Sequence, residues 1–196
     1  MSKVKERPTY QGDIEAAVEI MRRGGVILYP TDTVWGIGCD ATNPEAVARI
    51  YEIKRRADAK SMLVLVDSLA ALEGVIPDVP EVAYDIIELA IRPVTIIYDS
   101  ARGIAPNLLA EDGSLGVRLS KEAFSSALAR QMRAPIVSTS ANISGEPTPM
   151  VFSAISQEII DAVDYVVGYR QKDTKTSPPS QIIKLSSKGE VKIIRP

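Results

Sequence analysis

Short apolar runs, each the length of a strand, alternate along this chain with stretches whose apolar residues recur at helical spacing. The runs fall at residues 26–29, 62–66, 94–98, 115–119, 135–137, 165–167, 181–185 and 190–194. A chain punctuated in this way predicts an α/β (α+β) architecture, a sheet covered on both faces by helices. Gly12-Asp13 opens the first helix, which turns Ile14, Ala17, Val18 and Met21 to one side and stops at Gly24-Gly25. The run at 26–29 is expected to pair with 34–40 through the turn Pro30-Thr31-Asp32-Thr33. Asn43 caps the next helix with Pro44 in its first position, and Val47, Ile50 and Tyr51 form its apolar side.

Further along, residues 67–91 read as helical and acidic, with six carboxylates and no Lys or Arg. Ser120 is expected to cap a helix running to about Met132, and 153–162 to form another. Residues 138–145 and 170–179 read as polar loops. A closing hairpin about Lys188-Gly189, added to the early one, makes the expected sheet mixed rather than parallel. With no repeat or linker in view, residues 1–196 are expected to form one domain.

Composition narrows the chemistry. A 196-residue chain with 45% hydrophobic residues can bury a core without a metal or disulfide staple. Its net charge of −2 argues against a protein built mainly to coat nucleic acid or an acidic membrane. Histidine is absent and Cys39 is the single cysteine. That excludes Ser-His-Asp and Cys-His catalysis, His-ligated zinc, an internal disulfide and any multi-cysteine metal site. Cys39 itself reads as a small buried hydrophobe. The first dozen residues lack the apolar centre of a secretory signal, and no apolar run approaches a membrane span, so a cytoplasmic protein with no membrane partner is expected.

Three constellations remain. Residues 49–60 hold five cations against two carboxylates. Two readings fit: a solvated helix end, or a grip on polyphosphate by Lys54, Arg56 and Lys60. In 135–145 an apolar strand runs into four hydroxyls and an amide within seven residues, either a self-satisfied turn or a ligand-binding strand end. In 29–41, Gly36, Gly38 and Ala41 fit a dinucleotide pattern, but no second Rossmann strand follows, and the glycines read instead as close backbone packing. No phosphate-binding P-loop sequence is present. Trp35 reads as core or pocket wall. Arg118 and Arg195 interrupt apolar strands and call for anionic partners, from a salt bridge or from a ligand.

In order, YPTDTVWGIGCDA, KRRADAK, RPVTIIY, GVRL, STSANISG and PPSQIIKL closing on IIRP resemble the YrdC/Sua5 family along nearly the whole chain. The resemblance implies a three-layer YrdC/RibB-like fold around a twisted mixed sheet with a positively charged concave face. It implies an ATP-dependent nucleotidyltransferase in which L-threonine, bicarbonate and ATP, with Mg²⁺, give L-threonylcarbamoyladenylate and pyrophosphate for N6-threonylcarbamoyladenosine in tRNA. Downstream threonylcarbamoyl-transferase machinery would consume the product. A contact with tRNA or double-stranded RNA is a further implied partner, and a non-catalytic RNA-binding module is the rival reading.

Carried over by motif, Thr33, Arg118, Ser138 and Ser180 match positions that hold L-threonine. Arg56, Lys60, Ser114, Ser140, Thr148 and Arg195 match positions that contact ATP. Lys54 matches the first basic residue of the family's K-x-R motif, and Asn142 completes its SAN motif; the resemblance groups both with the ATP contacts, and Lys54 and Arg56 with catalysis. Lys60 replaces the Asn of many relatives, and Leu65 stands where some carry a His near the threonine.

Overall fold

The computed structural model describes residues 9–55 and 62–196. The first helix, α1 (Gln11–Arg22), buries Ile14, Ala17, Val18 and Met21, the side set by their helical spacing. The first hairpin follows: β1 (Ile27–Tyr29) pairs antiparallel with β2 (Gly36–Gly38), Tyr29 opposite Gly36. In α2 (Pro44–Ile53) the Asn43 side chain accepts from the backbone N–H of Glu45 and Ala46, and Pro44 supplies a first-turn residue with no N–H to leave unpaired.

The remaining strands are β3 (Leu63–Val66), β4 (Val94–Tyr98), β5 (Leu115–Leu119), β6 (Ile136–Ser140), β7 (Tyr165–Val166), β8 (Gln181–Leu185) and β9 (Val191–Arg195). Among the described residues they make one sheet in the order β7-β1-β2-β6-β3-β5-β4-β8-β9. The pairs β1/β7, β3/β5 and β4/β8 are parallel and the others antiparallel, so the sheet is mixed as expected. The central strands β3, β5 and β6 bury most of their residues, which suits strands covered by helices.

Three expectations need correction. Residues 67–91 are two helices, α3 (Leu69–Val75) and α4 (Glu81–Leu89). Pro77 and Pro80 lie between them, and a proline's missing N–H and fixed φ break the ladder. The cap of α5 (Ala123–Met132) is Glu122, whose carboxylate accepts from the Ser125 N–H; Ser120 instead exchanges a hydrogen bond with the Ser125 hydroxyl. The expected helix at 153–162 is a 3-10 turn (Phe152–Ala154) followed by α6 (Gln157–Ala162).

Helix α1 packs on α5, β1 and β7, α5 on β3, and α3 on β3 and β5. The core lies between these helices and the sheet. No helix among the described residues is long and apolar enough to cross a membrane.

Candidate active site

Strand register decides which polar side chains meet. Leu65 lies opposite Arg118, and Leu63 lies opposite both Gly116 and Ser138. Thr95 pairs with Ile182, and Ile182 with Arg195. Because side chains alternate along a strand, Ser138, Ser140, Arg118, Thr95 and Arg195 share one face of the sheet. The hydroxyls of 138–140 therefore belong to β6 itself, not to a loop after it.

On this face lies a cavity of about 410 Å³. Its lining includes Thr33, Arg118, Ser138, Ser140, Thr148, Ser180 and Arg195, all singled out from the sequence although they come from residues far apart in the chain. The wall is apolar at Trp35, Met62, Leu63, Met150 and Ile182. Trp35 is buried against Phe152, ring centroids 4.8 Å apart, so it is a pocket wall anchored in the core.

Arg118 is the electrostatic centre. Its side chain is only 4% exposed. Nη2 lies 3.3 Å from the Asp32 carboxylate, and Nη1 donates to the Thr33 hydroxyl at 3.4 Å. Its Nε is buried and makes no hydrogen bond. A buried guanidinium N–H without an acceptor is costly. Burial pushes the Asp32 carboxyl above the ordinary carboxylate range, against the pull of Arg118.

Arg195 donates from Nε to the Ser180 carbonyl at 2.9 Å and from Nη2 to the Ser180 hydroxyl at 3.3 Å. That hydroxyl also exchanges a hydrogen bond of 3.0 Å with Thr95. Burial and repulsion from Arg118 lower the pKa of Arg195. Two guanidinium groups that repel each other across a cavity with no carboxylate among its described lining residues form a site for an anion.

Lys54, Asn142 and Ser114 are not among the described lining residues. Lys54 is 1% exposed, and its ammonium donates to the carbonyls of Ser140 at 2.5 Å and Asn142 at 2.7 Å. It braces the segment that carries the Ser140 hydroxyl. Asn142 closes the same segment, donating to the carbonyls of Ile143 and Glu146 at 3.0 and 2.9 Å. Ser114 precedes β5, its N–H bonded to Asp112 at 3.0 Å, and does not line the cavity. Arg56 and Lys60 lie outside the described residues.

The cationic run thus divides its work. Arg49 forms a two-pronged pair with Asp164, and Arg55 pairs with Glu158 at the surface, which is the solvated reading of those two residues. Sequence reasoning passed over Asp32. Its only signal was a carboxylate in the turn beside Thr33, and nothing along the chain announces its pairing with Arg118. Cys39 is buried, and burial pushes its thiol up, which fits a packing role. The Gly38 reading also holds, since a Cβ there would lie 2.5 Å from the Val137 carbonyl oxygen.

With this geometry in place, comparisons can be weighed. Residues 19–196 match the Sua5/YciO/YrdC family model, described as "Telomere recombination". A threonylcarbamoyl-AMP synthase of Xanthomonas campestris pv. campestris is 36% identical over 166 residues, covering 79% of this chain and 84% of that protein. A crystal structure of P. abyssi Sua5 complexed with L-threonine superposes with a TM-score of 0.83 at 25% identity, covering 92% of this chain and 52% of that one. This chain therefore spans about half the length of that Sua5. E. coli YciO superposes with a TM-score of 0.82 at 25% identity, covering 96% of this chain and 90% of that one. The family model spans most of the chain, and the mixed sheet agrees with these likenesses: the chain belongs to the Sua5/YciO/YrdC family.

Proposed function

We propose that this protein is an L-threonylcarbamoyladenylate synthase, joining L-threonine, bicarbonate and ATP and releasing pyrophosphate, in support of N6-threonylcarbamoyladenosine formation in tRNA. The observation that carries the reading is the buried guanidinium of Arg118 in a cavity it shares with Arg195 and the β6 hydroxyls. A relative named for this product and a threonine-bound structural neighbour support it.

Arg118 takes the threonine carboxylate, aided by Thr33, Ser138 and Ser180. Arg195, Ser140 and Thr148 face the nucleotide side of the cavity, with Arg56 and Lys60 assigned there from sequence. Lys54 acts on ATP through the carbonyls it holds rather than by direct contact. No carboxylate stands among the described residues of the lining; Mg²⁺ would come with the ATP substrate.

In the reaction the threonine amine and bicarbonate first form an N-carboxylate with loss of water. That carboxylate attacks the α-phosphorus, the bond to the bridging oxygen breaks, and pyrophosphate leaves with the electron pair. Every group this requires from the protein is a positioned cation or hydroxyl, so alignment and charge stabilisation do the chemistry, with no covalent enzyme intermediate. The test is pyrophosphate release by the purified protein. Release that requires ATP, L-threonine and bicarbonate together supports the reading; RNA binding without such release would replace it with the non-catalytic one.

A further inference from the structure

A carboxylate outside the cavity lining touches its principal cation. Asp32 sits in the β1–β2 turn with its side chain 11% exposed, and it lines a neighbouring cavity with Thr31, Glu122 and Arg170 rather than the one that Arg118 and Arg195 share. Its Oδ1 is 3.3 Å from Arg118 Nη2 and makes no aligned hydrogen bond to any group. Thr33, one residue on, receives Nη1 at 3.4 Å. The two terminal nitrogens of the guanidinium are thus both occupied from one turn, and Nε is the nitrogen left over.

The far side of the turn is fixed as well. Arg170 donates to the Thr31 carbonyl at 3.0 Å, pairs with Asp173 at 2.8 Å and lies 3.7 Å from Glu122. A turn held at Thr31 presents Asp32 and Thr33 as a rigid unit. Across the cavity Arg195 repels Arg118, and Asp32 is the carboxylate that opposes the displacement.

We propose that Asp32 is a positioning residue for the threonine carboxylate: with the Thr33 hydroxyl it holds the terminal nitrogens of Arg118 and so fixes where the guanidinium stands in the cavity wall. Asn at this position keeps the shape and removes the charge that faces Arg118 Nη2. The inference rests on the threonine reading above, and it predicts a defect confined to the substrate's carboxylate.

The experiment compares wild type with Asp32→Asn, Asp32→Glu and Thr33→Val, measuring the KM for L-threonine, the KM for ATP and inhibition by L-threoninol, which lacks the carboxylate. Asp32→Asn is expected to raise the threonine KM about tenfold or more, with the ATP KM changing by less than about twofold and threoninol inhibition unaltered. Asp32→Glu should fall between wild type and the Asn variant. A threonine KM that is unchanged or lower, or an equal loss toward ATP and threoninol, overturns the proposal. Where thermal melts show that Asp32→Asn does not fold, Thr33→Val carries the test by the same pattern, and equal losses toward threonine and threoninol refute it. A wild-type enzyme with threonine-dependent turnover but an unshifted variant removes this inference alone; a wild-type protein with no threonine dependence removes the function reading and this inference with it.

Discussion

Arg118 and Lys54 are both buried cations in or beside the site, yet they do different work, and substitution should separate them. Arg118→Ala removes the group proposed to hold the threonine carboxylate. A charge-assisted hydrogen bond contributes about 1.5–3 kcal/mol, so the threonine KM should rise roughly ten- to a hundredfold. Unchanged threonine dependence would remove the assignment. Lys54→Met instead leaves the Ser140 and Asn142 carbonyls without the ammonium they share. Its cost should appear as stability, on the order of 1–3 kcal/mol, together with a loss of ATP affinity; a full loss of turnover at an unchanged melting temperature would show direct catalysis instead. The sequence motifs made Thr33, Arg118, Ser138, Ser140, Thr148, Ser180 and Arg195 legible, and these do converge. The inward turn of Lys54 was not legible, because a lysine in a cationic run reads the same whether its ammonium meets water or two carbonyls. Asp32 was hidden for the same reason: its partner lies 86 positions away in the chain.

Strand β2 is short and glycine-rich because its neighbours come too close for side chains. A Cβ on Gly38 would stand 2.5 Å from the Val137 carbonyl oxygen and 2.6 Å from the Tyr29 ring. Gly38→Ala should therefore force β1, β2 and β6 apart at a cost of about 1–3 kcal/mol, and lower the melting temperature by roughly 2–4 °C per kcal/mol. A melt matching wild type would refute the close approach. Elsewhere Asp164 ties two elements together, accepting from the Val26 N–H at 2.7 Å and from both terminal nitrogens of Arg49. The hydrogen bond from Arg49 holds its carboxyl below the ordinary range, against the opposing effect of burial. A depressed carboxylate contributes stability above its unfolded pKa of about 3.9 and loses it as pH falls through the folded value. Asp164→Asn, at a half-exposed pair, should cost about 1 kcal/mol or less near neutral pH, and the gap in melting temperature should close below about pH 4. A gap that persists at low pH would place the effect elsewhere. At this scale helix α1, the Asn43 cap and the two hairpins were legible, since spacing and cap chemistry act locally. The split of 67–91 was signalled by Pro77 and Pro80 but masked by its uniform acidity. The extension of β6 through Ser140 was masked by hydroxyls that resemble a turn until β2 and β3 pair with them.

The whole molecule arranges a nine-strand mixed sheet so that three middle strands, β6, β5 and β4, carry polar side chains of one face, while turns and the closing strand bring up the rest. Local pattern could predict a mixed sheet but not this strand order, which depends on pairings between distant segments; the family resemblance supplied the three-layer arrangement that pattern alone could not. The site is assembled only when the order is right, since Arg118 meets Thr33 from β1–β2 and faces Arg195 from β9 through register rather than proximity in sequence. The central claim is that this face holds nucleotide and amino acid together so that one attacks the other. Mass spectrometry of reaction mixtures tests it most directly. Purified protein with ATP, L-threonine and isotopically labelled bicarbonate should yield threonylcarbamoyl-AMP carrying the label, in step with pyrophosphate; ATP turnover without that adduct, or a covalent adenylyl-protein in its place, would contradict it.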